Sequence, residues 1–401
     1  MDLATFRQLL SPQGQRALQE ATDHQPEEQD FLRLYSALSR TYSAELARAA
    51  LETAILRRQA REKFPLAERM YFTRQALEQA THHAVAAYRS RRFAGFKWLI
   101  DLGCSIGGDT LELARIAPTL GVDLDALRLA MARENLAAAG LEEQTRFIQA
   151  DLNASLPIHS RGGTGVFFDP GRRSAERRAF SILDYQPPLT IIEAWLARFP
   201  ALGVKISPGV KLDELSSYPA EIEFVSYDGE LKEAALWFGP LKSAARRATV
   251  LPAGRSLALS ETEGTPGVQQ AAYLSEPRAF LYEPDPAVLR AGLVRMLAEQ
   301  IGAHQLDPDI AYLTSDQRVE TPFARVWMVD AWFPFHLKRL REALRQRGVE
   351  RVTVKKRGSP IQPQELIRWL RLPRHVGASA IERVIFLTHL RGQPVVILCL
   401  P

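Results

Sequence analysis

Trp98-Leu-Ile-Asp-Leu-Gly-Cys-Ser-Ile-Gly-Gly-Asp109 is the stretch on which the fold turns. It reads as a buried strand over 98–102, a glycine turn at Gly103, Gly107 and Gly108, and a helix opening at Asp109. Downstream the same alternation continues. Strands are expected over 118–123, 146–151, 166–169 and 202–206, with helices over 109–116 and 127–139. This pattern implies a parallel sheet covered by helices, whose ligands bind beyond the carboxyl ends of the strands. Then the rhythm changes. Residues 221–226 and 233–238 read as strands joined through Asp228-Gly229, a hairpin turn signal. A parallel sheet that finishes in an antiparallel hairpin departs from the plain dinucleotide-binding fold.

Upstream, the chain is helical. Phe31, Leu34, Tyr35, Leu38 and Tyr42 recur at helix spacing, a second helix is expected over 46–61, and a third runs from 74 to about 91. Residues 1–70 form an expected helical cap with a structural role, or a share in the substrate cleft. A core domain spans 71–240. Residues 241–324 read as a connecting region of short strands and loops with a helix over 286–300. The last division, 325–401, is compact α/β, with helices over 335–347 and 363–370. Its strands are expected over 349–354, 383–390 and 394–400, the last two paired through Arg391-Gly392.

The 401 residues, 46% hydrophobic and 24% charged, have the composition of a soluble globular protein of two or three domains. No apolar run approaches the roughly 20 residues of a membrane span, and 1–6 have no signal-peptide character. Cys104 and Cys399 are the only cysteines, so no disulfide framework or thiolate metal cluster is available. A cytoplasmic protein without a metal or a membrane partner is expected. The net charge is +5, but residues 336–391 hold 14 Lys or Arg against 4 Asp or Glu. A basic segment on an acidic remainder suits a polyanion, nucleic acid first, or is a solvated Arg-rich surface.

Three acids fall at successive strand ends: Asp101 before the glycine turn, Asp123 closing the second strand and Asp151 closing the third. Asp123 stands where a carboxylate takes both hydroxyls of a ribose. The glycines, however, are not spaced G-x-G-x-x-G, and a carboxylate at Asp101 opposes a pyrophosphate at a helix N-terminus. An acidic turn favours a cation. S-adenosylmethionine, with an ammonium, a sulfonium and no phosphate, meets that requirement, and Asp151 would lie near its adenine amine. A capping Asp explains any one of these acids, but not easily all three beside the turn.

Asp101-Leu-Gly-Cys-Ser-Ile-Gly-Gly-Asp109, Gly121-Val-Asp-Leu-Asp125 and Gln149-Ala-Asp151 resemble the successive motifs of class I S-adenosylmethionine-dependent methyltransferases. The resemblance covers roughly 71–240. It implies a Rossmann-like seven-stranded sheet, with Asp101, Gly103, Ser105, Gly107, Asp123 and Asp151 holding the cofactor. Ser105 replaces the usual middle glycine. Tyr71-Phe-Thr73 resembles the segment that covers the cofactor in trimethylguanosine synthase-like RNA methyltransferases, which adds Thr73 to the site. Thr73 reads equally as an N-cap.

Phe167-Phe-Asp-Pro-Gly-Arg-Arg173 ends the fourth strand, beside the first. Many methyltransferases of exocyclic amines carry Asp/Asn-Pro-Pro-aromatic there. A carboxylate and a backbone carbonyl accept the amine N–H bonds and steer its lone pair, and proline fixes the turn. Asp169 and Pro170 fit this catalytic role. Gly171 and Arg172 replace the second proline and the aromatic, so the base-stacking platform is missing at its usual place. Arg172 and Arg173 would hold a phosphate or pair with local acids, and Lys205 would line the substrate pocket.

Val352-Thr-Val-Lys-Lys-Arg-Gly-Ser-Pro360 resembles the THUMP-like domain appended to a bacterial subfamily of these enzymes, over about 325–401, which implies RNA binding. Lys355, Lys356 and Arg357 at a strand end would follow a phosphate backbone. The expected activity is methylation of a base amine in tRNA or rRNA. Two rival readings stand beside it. One is a non-catalytic RNA-binding protein with a degenerate methyltransferase fold, and the other is methyl transfer to a protein or small molecule.

Overall fold

The computed structural model describes residues 1–154, 156, 158, 162–172, 181–261, 274–372 and 380–401. The chain forms two compact units, Met1–Glu223 with Lys232–Ser243, and Phe224–Leu231 with Ala244–Pro401.

The first unit opens with four helices, α1 (Leu3–Leu10), α2 (Pro12–Asp23), α3 (Phe31–Leu38) and α4 (Ala44–Ala60). Sequence periodicity finds α3 and α4 but not the first two, which begin at local caps. Asp2 accepts from the Thr5 N–H, and Ser11 accepts from the Gly14 N–H with Pro12 in the first helical turn. Phe6, Leu9, Leu18, Leu46 and Leu51 share one buried core with Ile106, Leu111, Met131 and Leu136. The helix expected over 74–91 is two helices, α5 (Arg74–Gln79) and α6 (His83–Ser90). Lys63 Nζ takes the carbonyls of Leu77, Glu78 and Ala80 at 2.7, 3.0 and 3.2 Å, so the end of α5 is satisfied without a continuing helix. His82 then caps α6 by accepting from the Ala84 N–H.

The sheet strands are β1 (Trp98–Leu102), β2 (Thr119–Asp123), β3 (Thr145–Gln149), β4 (Thr164–Phe168), β5 (Leu202–Ile206), β6 (Glu221–Tyr227) and β7 (Glu230–Trp237). Their order is β6-β7-β5-β4-β1-β2-β3. The pairs among β1–β5 are parallel, and β7 runs antiparallel to β5. Helices α7 (Gly108–Ala114), α8 (Ala126–Ala138) and α9 (Ile191–Leu196) lie between strands. The β6–β7 turn has Asp228 at φ 50° and Gly229 at φ 75°, the double left-handed conformation of a two-residue hairpin. The expected Rossmann-like order of seven strands is present, but within a sheet of nine, to which Arg246–Leu251 and Arg255–Leu259 add beyond β6. Strand order reverses between β1 and β4, which opens a crevice at their carboxyl ends.

In the second unit β8 (Arg246–Leu251) and β9 (Arg255–Leu259) form an antiparallel pair. The helix expected over 286–300 is divided at Gly292, φ 71°, into α10 (Pro286–Ala291) and α11 (Val294–Ile301). Seven further strands follow: β10 (Phe280–Pro284), β11 (His304–Asp307), β12 (Ile310–Ser315), β13 (Ala324–Pro334), β14 (Arg351–Lys356), β15 (Glu382–Leu390) and β16 (Gln393–Cys399). They make one sheet in the order β11-β12-β10-β13-β16-β15-β14. Helices α12 (Leu337–Gln346) and α13 (Pro363–Leu370) cover one face, where Leu340, Leu344 and Leu366 meet Ile385 and Leu387. On the other face Tyr312 stands edge-on to Phe386 with ring centroids 5.3 Å apart. The register of β13 shifts between Val329 and Ala331, and its two halves pair with β10 and β16. That bulge lets the sheet curl until β12 lies over β15.

Candidate active site

The turn between β1 and α7 is built from backbone hydrogen bonds to β2. Gly103 N and Cys104 N donate to the Val122 carbonyl at 2.8 and 3.0 Å. Ser105 N donates to Asp123 Oδ2 at 2.8 Å, and Asp125 N donates to Asp123 Oδ1 at 2.9 Å. Each oxygen of Asp123 keeps acceptor capacity, as a pair of hydroxyls requires. Two glycines are sterically demanded. A Cβ on Gly103, φ 77°, would lie 2.6 Å from the Asp169 carbonyl oxygen, and one on Gly107, φ 80°, would lie 2.7 Å from Leu136 Cδ2. Ser105 adopts φ 50°, so the residue in the place of the middle glycine keeps a glycine-like backbone.

Asp101 is fully buried, its Oδ2 accepting from Thr110 Oγ1 at 2.5 Å. Its Oδ1 has no hydrogen-bond partner among the described residues. Burial, and then the neighbouring Asp109 and Asp169 charges, push its pKa up to about 8 against the pull of Thr110 and Arg89. An orphaned buried carboxylate oxygen beside a glycine cradle fits a cationic ligand with a ribose, so the residues present suit S-adenosylmethionine.

Beneath this lies an ion-pair network that residue-by-residue reading missed. Arg89 is buried, pairs with Asp109 and Glu233, and lies 4.1 Å over the Phe167 ring. Burial raises the pKa of Glu233, whose Oε1 has no partner among the described residues. A lone Arg in a helix and a lone Glu in a strand carry no local signal of such pairing.

Asp169 follows β4, its N–H donating to the Leu102 carbonyl at 3.1 Å, which sets it directly beside the end of β1. Its Oδ2 lies 2.7 Å from Lys205 Nζ. Lys205, on β5, has a side chain only 9% exposed, so it is a partner of Asp169 and not an open cation for substrate. Burial works against its charge, but Asp169, with Asp109 and Glu233, carries its pKa above the usual lysine value. Asp169 Oδ1 has no partner among the described residues. Pro170 is buried. Gly171–Arg172 pairs antiparallel with Tyr185–Gln186, and the Tyr185 hydroxyl accepts from the Ser207 N–H at 2.7 Å.

Most other expected site residues are exposed or engaged locally. Asp151 lies two residues beyond the end of β3 and is exposed, with a pKa lowered by the N–H groups of Asn153. Thr73 caps α5, accepting from the Ala76 N–H at 3.1 Å. Arg172 is placed by its backbone alone, and Arg173 lies outside the described residues. In the second unit Lys355 is held by Glu283 and lies 4.8 Å over the Trp327 ring. Arg357 donates to the Ala311 carbonyl at 3.2 Å and covers Tyr312. Lys356 is exposed, with no ion pair among the described residues. Among the described residues no helix is long and apolar enough to cross a membrane, and no group of three His, Cys, Asp or Glu is placed to hold a metal.

Strand order, antiparallel β7 and the acidic glycine turn define a class I methyltransferase fold. Known proteins agree. Residues 324–401 match a THUMP domain-like family, and residues 2–60 match a domain of unknown function (DUF8688). The chain is 37% identical over 336 residues, 80% of its length and 88% of the relative's, to an uncharacterized S-adenosylmethionine-dependent methyltransferase of Mycobacterium tuberculosis. A crystal structure of a Porphyromonas gingivalis W83 protein, provisionally described as a methyltransferase, shares the fold at TM-score 0.73 and 21% identity, covering 93% of this chain and 98% of that one. A shorter match, 46% identical over 55 residues, covers 14% of this chain and 12% of the 23S rRNA (uracil(1939)-C(5))-methyltransferase RlmD of Acidithiobacillus ferrooxidans. The chain belongs to the S-adenosylmethionine-dependent methyltransferases and carries a C-terminal THUMP-like domain.

Proposed function

We propose that this methyltransferase acts on RNA, tRNA or rRNA, at an amine of a base. S-adenosylmethionine supplies a methyl group on a sulfonium. Asp101, Gly103, Ser105, Gly107, Asp123 and Asp151 are the residues assigned to hold it. Asp169 is assigned to orient the acceptor, and its geometry is the observation that carries the amine reading. Lys205 engages Oδ2, so Oδ1 is the oxygen left to accept an acceptor N–H, and Pro170 fixes the turn that follows. The reaction then needs positioning for in-line displacement more than a strong base. RNA as the substrate is supported by the THUMP-like match and by the cations of 336–391. Lys356 contributes to that surface, while Lys355 and Arg357 brace the strand end that presents it.

The test is transfer of labelled methyl groups from S-adenosylmethionine into total RNA from a strain lacking the gene. Label enters that RNA but not RNA from the parent strain, and nucleoside mass spectrometry identifies the product. Asp169→Asn lowers transfer by roughly a hundredfold or more while leaving cofactor affinity unchanged. Label appearing instead in protein or small molecules, or in no fraction, removes the RNA reading.

A further inference from the structure

Asn135, on α8, is fully buried and uses one amide to join two distant segments. Its Oδ1 accepts from the Tyr71 N–H at 2.7 Å, and its Nδ2 donates to the Tyr71 carbonyl at 3.0 Å and to the Ile106 carbonyl at 2.9 Å. Both amide hydrogens are consumed. Ile106 belongs to the turn between Gly103 and Gly107, whose other hydrogen bonds to distant segments, among the described residues, run to β2. Asn135 therefore anchors the opposite side of that turn.

Tyr71 in turn is held by three N-terminal helices. Phe6 of α1 stands edge-on to its ring with centroids 5.2 Å apart. Gln15 of α2 donates to its hydroxyl at 3.2 Å. Arg57 of α4 lies 4.7 Å over its ring and donates to the Met70 carbonyl at 2.8 Å. These helices have no separate core. Their apolar faces are continuous with Ile106, Met131 and Leu136, and Leu136 is the side chain that a Cβ on Gly107 would strike. Because packed interiors transmit strain, the position of the helices reaches the turn through Tyr71 and Asn135.

We propose that residues 2–60 act as a brace for the cofactor turn, with Asn135 as the positioning residue through which they act. This rests on the assignment of that turn to S-adenosylmethionine. It gives the domain of unknown function a role in cofactor affinity in place of a share in the substrate cleft. Asn135→Asp removes both donors and leaves buried carbonyls of Tyr71 and Ile106 unsatisfied. Arg57→Met keeps an apolar stem but loses the tie to Met70 and the Tyr71 ring.

The test is calorimetric titration of the full chain with S-adenosylmethionine, with thermal unfolding and hydrogen exchange of the 103–108 amides. Asn135→Asp and Arg57→Met weaken binding by about tenfold or more and speed exchange in the turn. Leu38→Ala, on α3, which makes none of the contacts to Tyr71 given above, hollows the same helical core and lowers the melting temperature as much but leaves affinity within about twofold. If Asn135→Asp does not fold, Arg57→Met decides. The brace is overturned if both variants bind like wild type while Asp123→Ala does not, or if Leu38→Ala loses affinity in step with them. Wild-type affinity in Asp123→Ala overturns the cofactor assignment itself, and the brace with it.

Discussion

At Asp101 a carboxyl group is kept out of water with one oxygen unpartnered among the described residues, so its protonation is expected to respond to a cation bound beside it. Its pKa of about 8 in the free protein means that it is largely protonated below that value. A cationic ligand prefers the ionised form, so binding releases a proton below pH 8 and none well above it. S-adenosylmethionine affinity is therefore expected to rise with pH through the window up to about 8 and then level off. Titrations at several pH values, in buffers of different ionisation enthalpy, read the released proton directly, and Asp101→Asn flattens the dependence. Asp169 and Lys205 form an ion pair beside it. Lys205→Met leaves the Asp169 carboxylate without its cation and free to rotate, so methyl transfer falls at least tenfold while cofactor affinity holds. Separate kinetic and binding measurements distinguish the two.

On the scale of the element, the glycine turn shows where strain is stored and where it is relieved. Ser105 sits at φ 50°, a conformation that costs a side-chain-bearing residue roughly 1–2 kcal/mol. Ser105→Gly is thus expected to raise stability by about 1 kcal/mol, or about 2–4 °C in melting temperature for a unit of this size. Gly103→Ala has the opposite sign. Its methyl would press on the Asp169 carbonyl, so differential scanning calorimetry should show a loss of about 2–3 kcal/mol. Methyl transfer falls further than cofactor affinity, because Asp169 is the group displaced. The division of 74–91 into α5 and α6 has a comparable cause. The polar cation of Lys63, distant in sequence, satisfies carbonyls that a continuous helix would have used.

Across the molecule, the second sheet joins strands from 280–315 with those from 324–401. Its buried residues Leu281, Ile310 and Tyr312 pack on Val384 and Phe386. A fragment limited to 324–401 would expose that face and the open edge of β13. It is expected to lack a cooperative melting transition, whereas 244–401 should show one. On the proposed RNA reading, affinity for RNA should fall steeply with salt, and Lys356→Glu should lower the slope of log affinity against log salt by about 1. Lys355→Glu would instead lower stability, because it faces Glu283 with a like charge.

Much of the fold was legible from local pattern. The strand-helix alternation from 98 to 206, the Asp228-Gly229 hairpin and the acidic turn all follow from short-range periodicity and turn chemistry, which depend on neighbours in the chain. The helices at 3–23 were missed because their caps are ordinary and their apolar faces short. What the sequence by itself determined is a class I methyltransferase sheet, an acidic glycine turn and a basic THUMP-like domain. The tertiary structure alone decided that Lys205 belongs to Asp169, that Lys355 and Arg357 are engaged within the domain, that one Asp101 oxygen has no partner among the described residues, and that Asn135 ties the turn to Tyr71. Those pairings join residues far apart in the chain, and no local periodicity encodes which buried charge or amide will meet which.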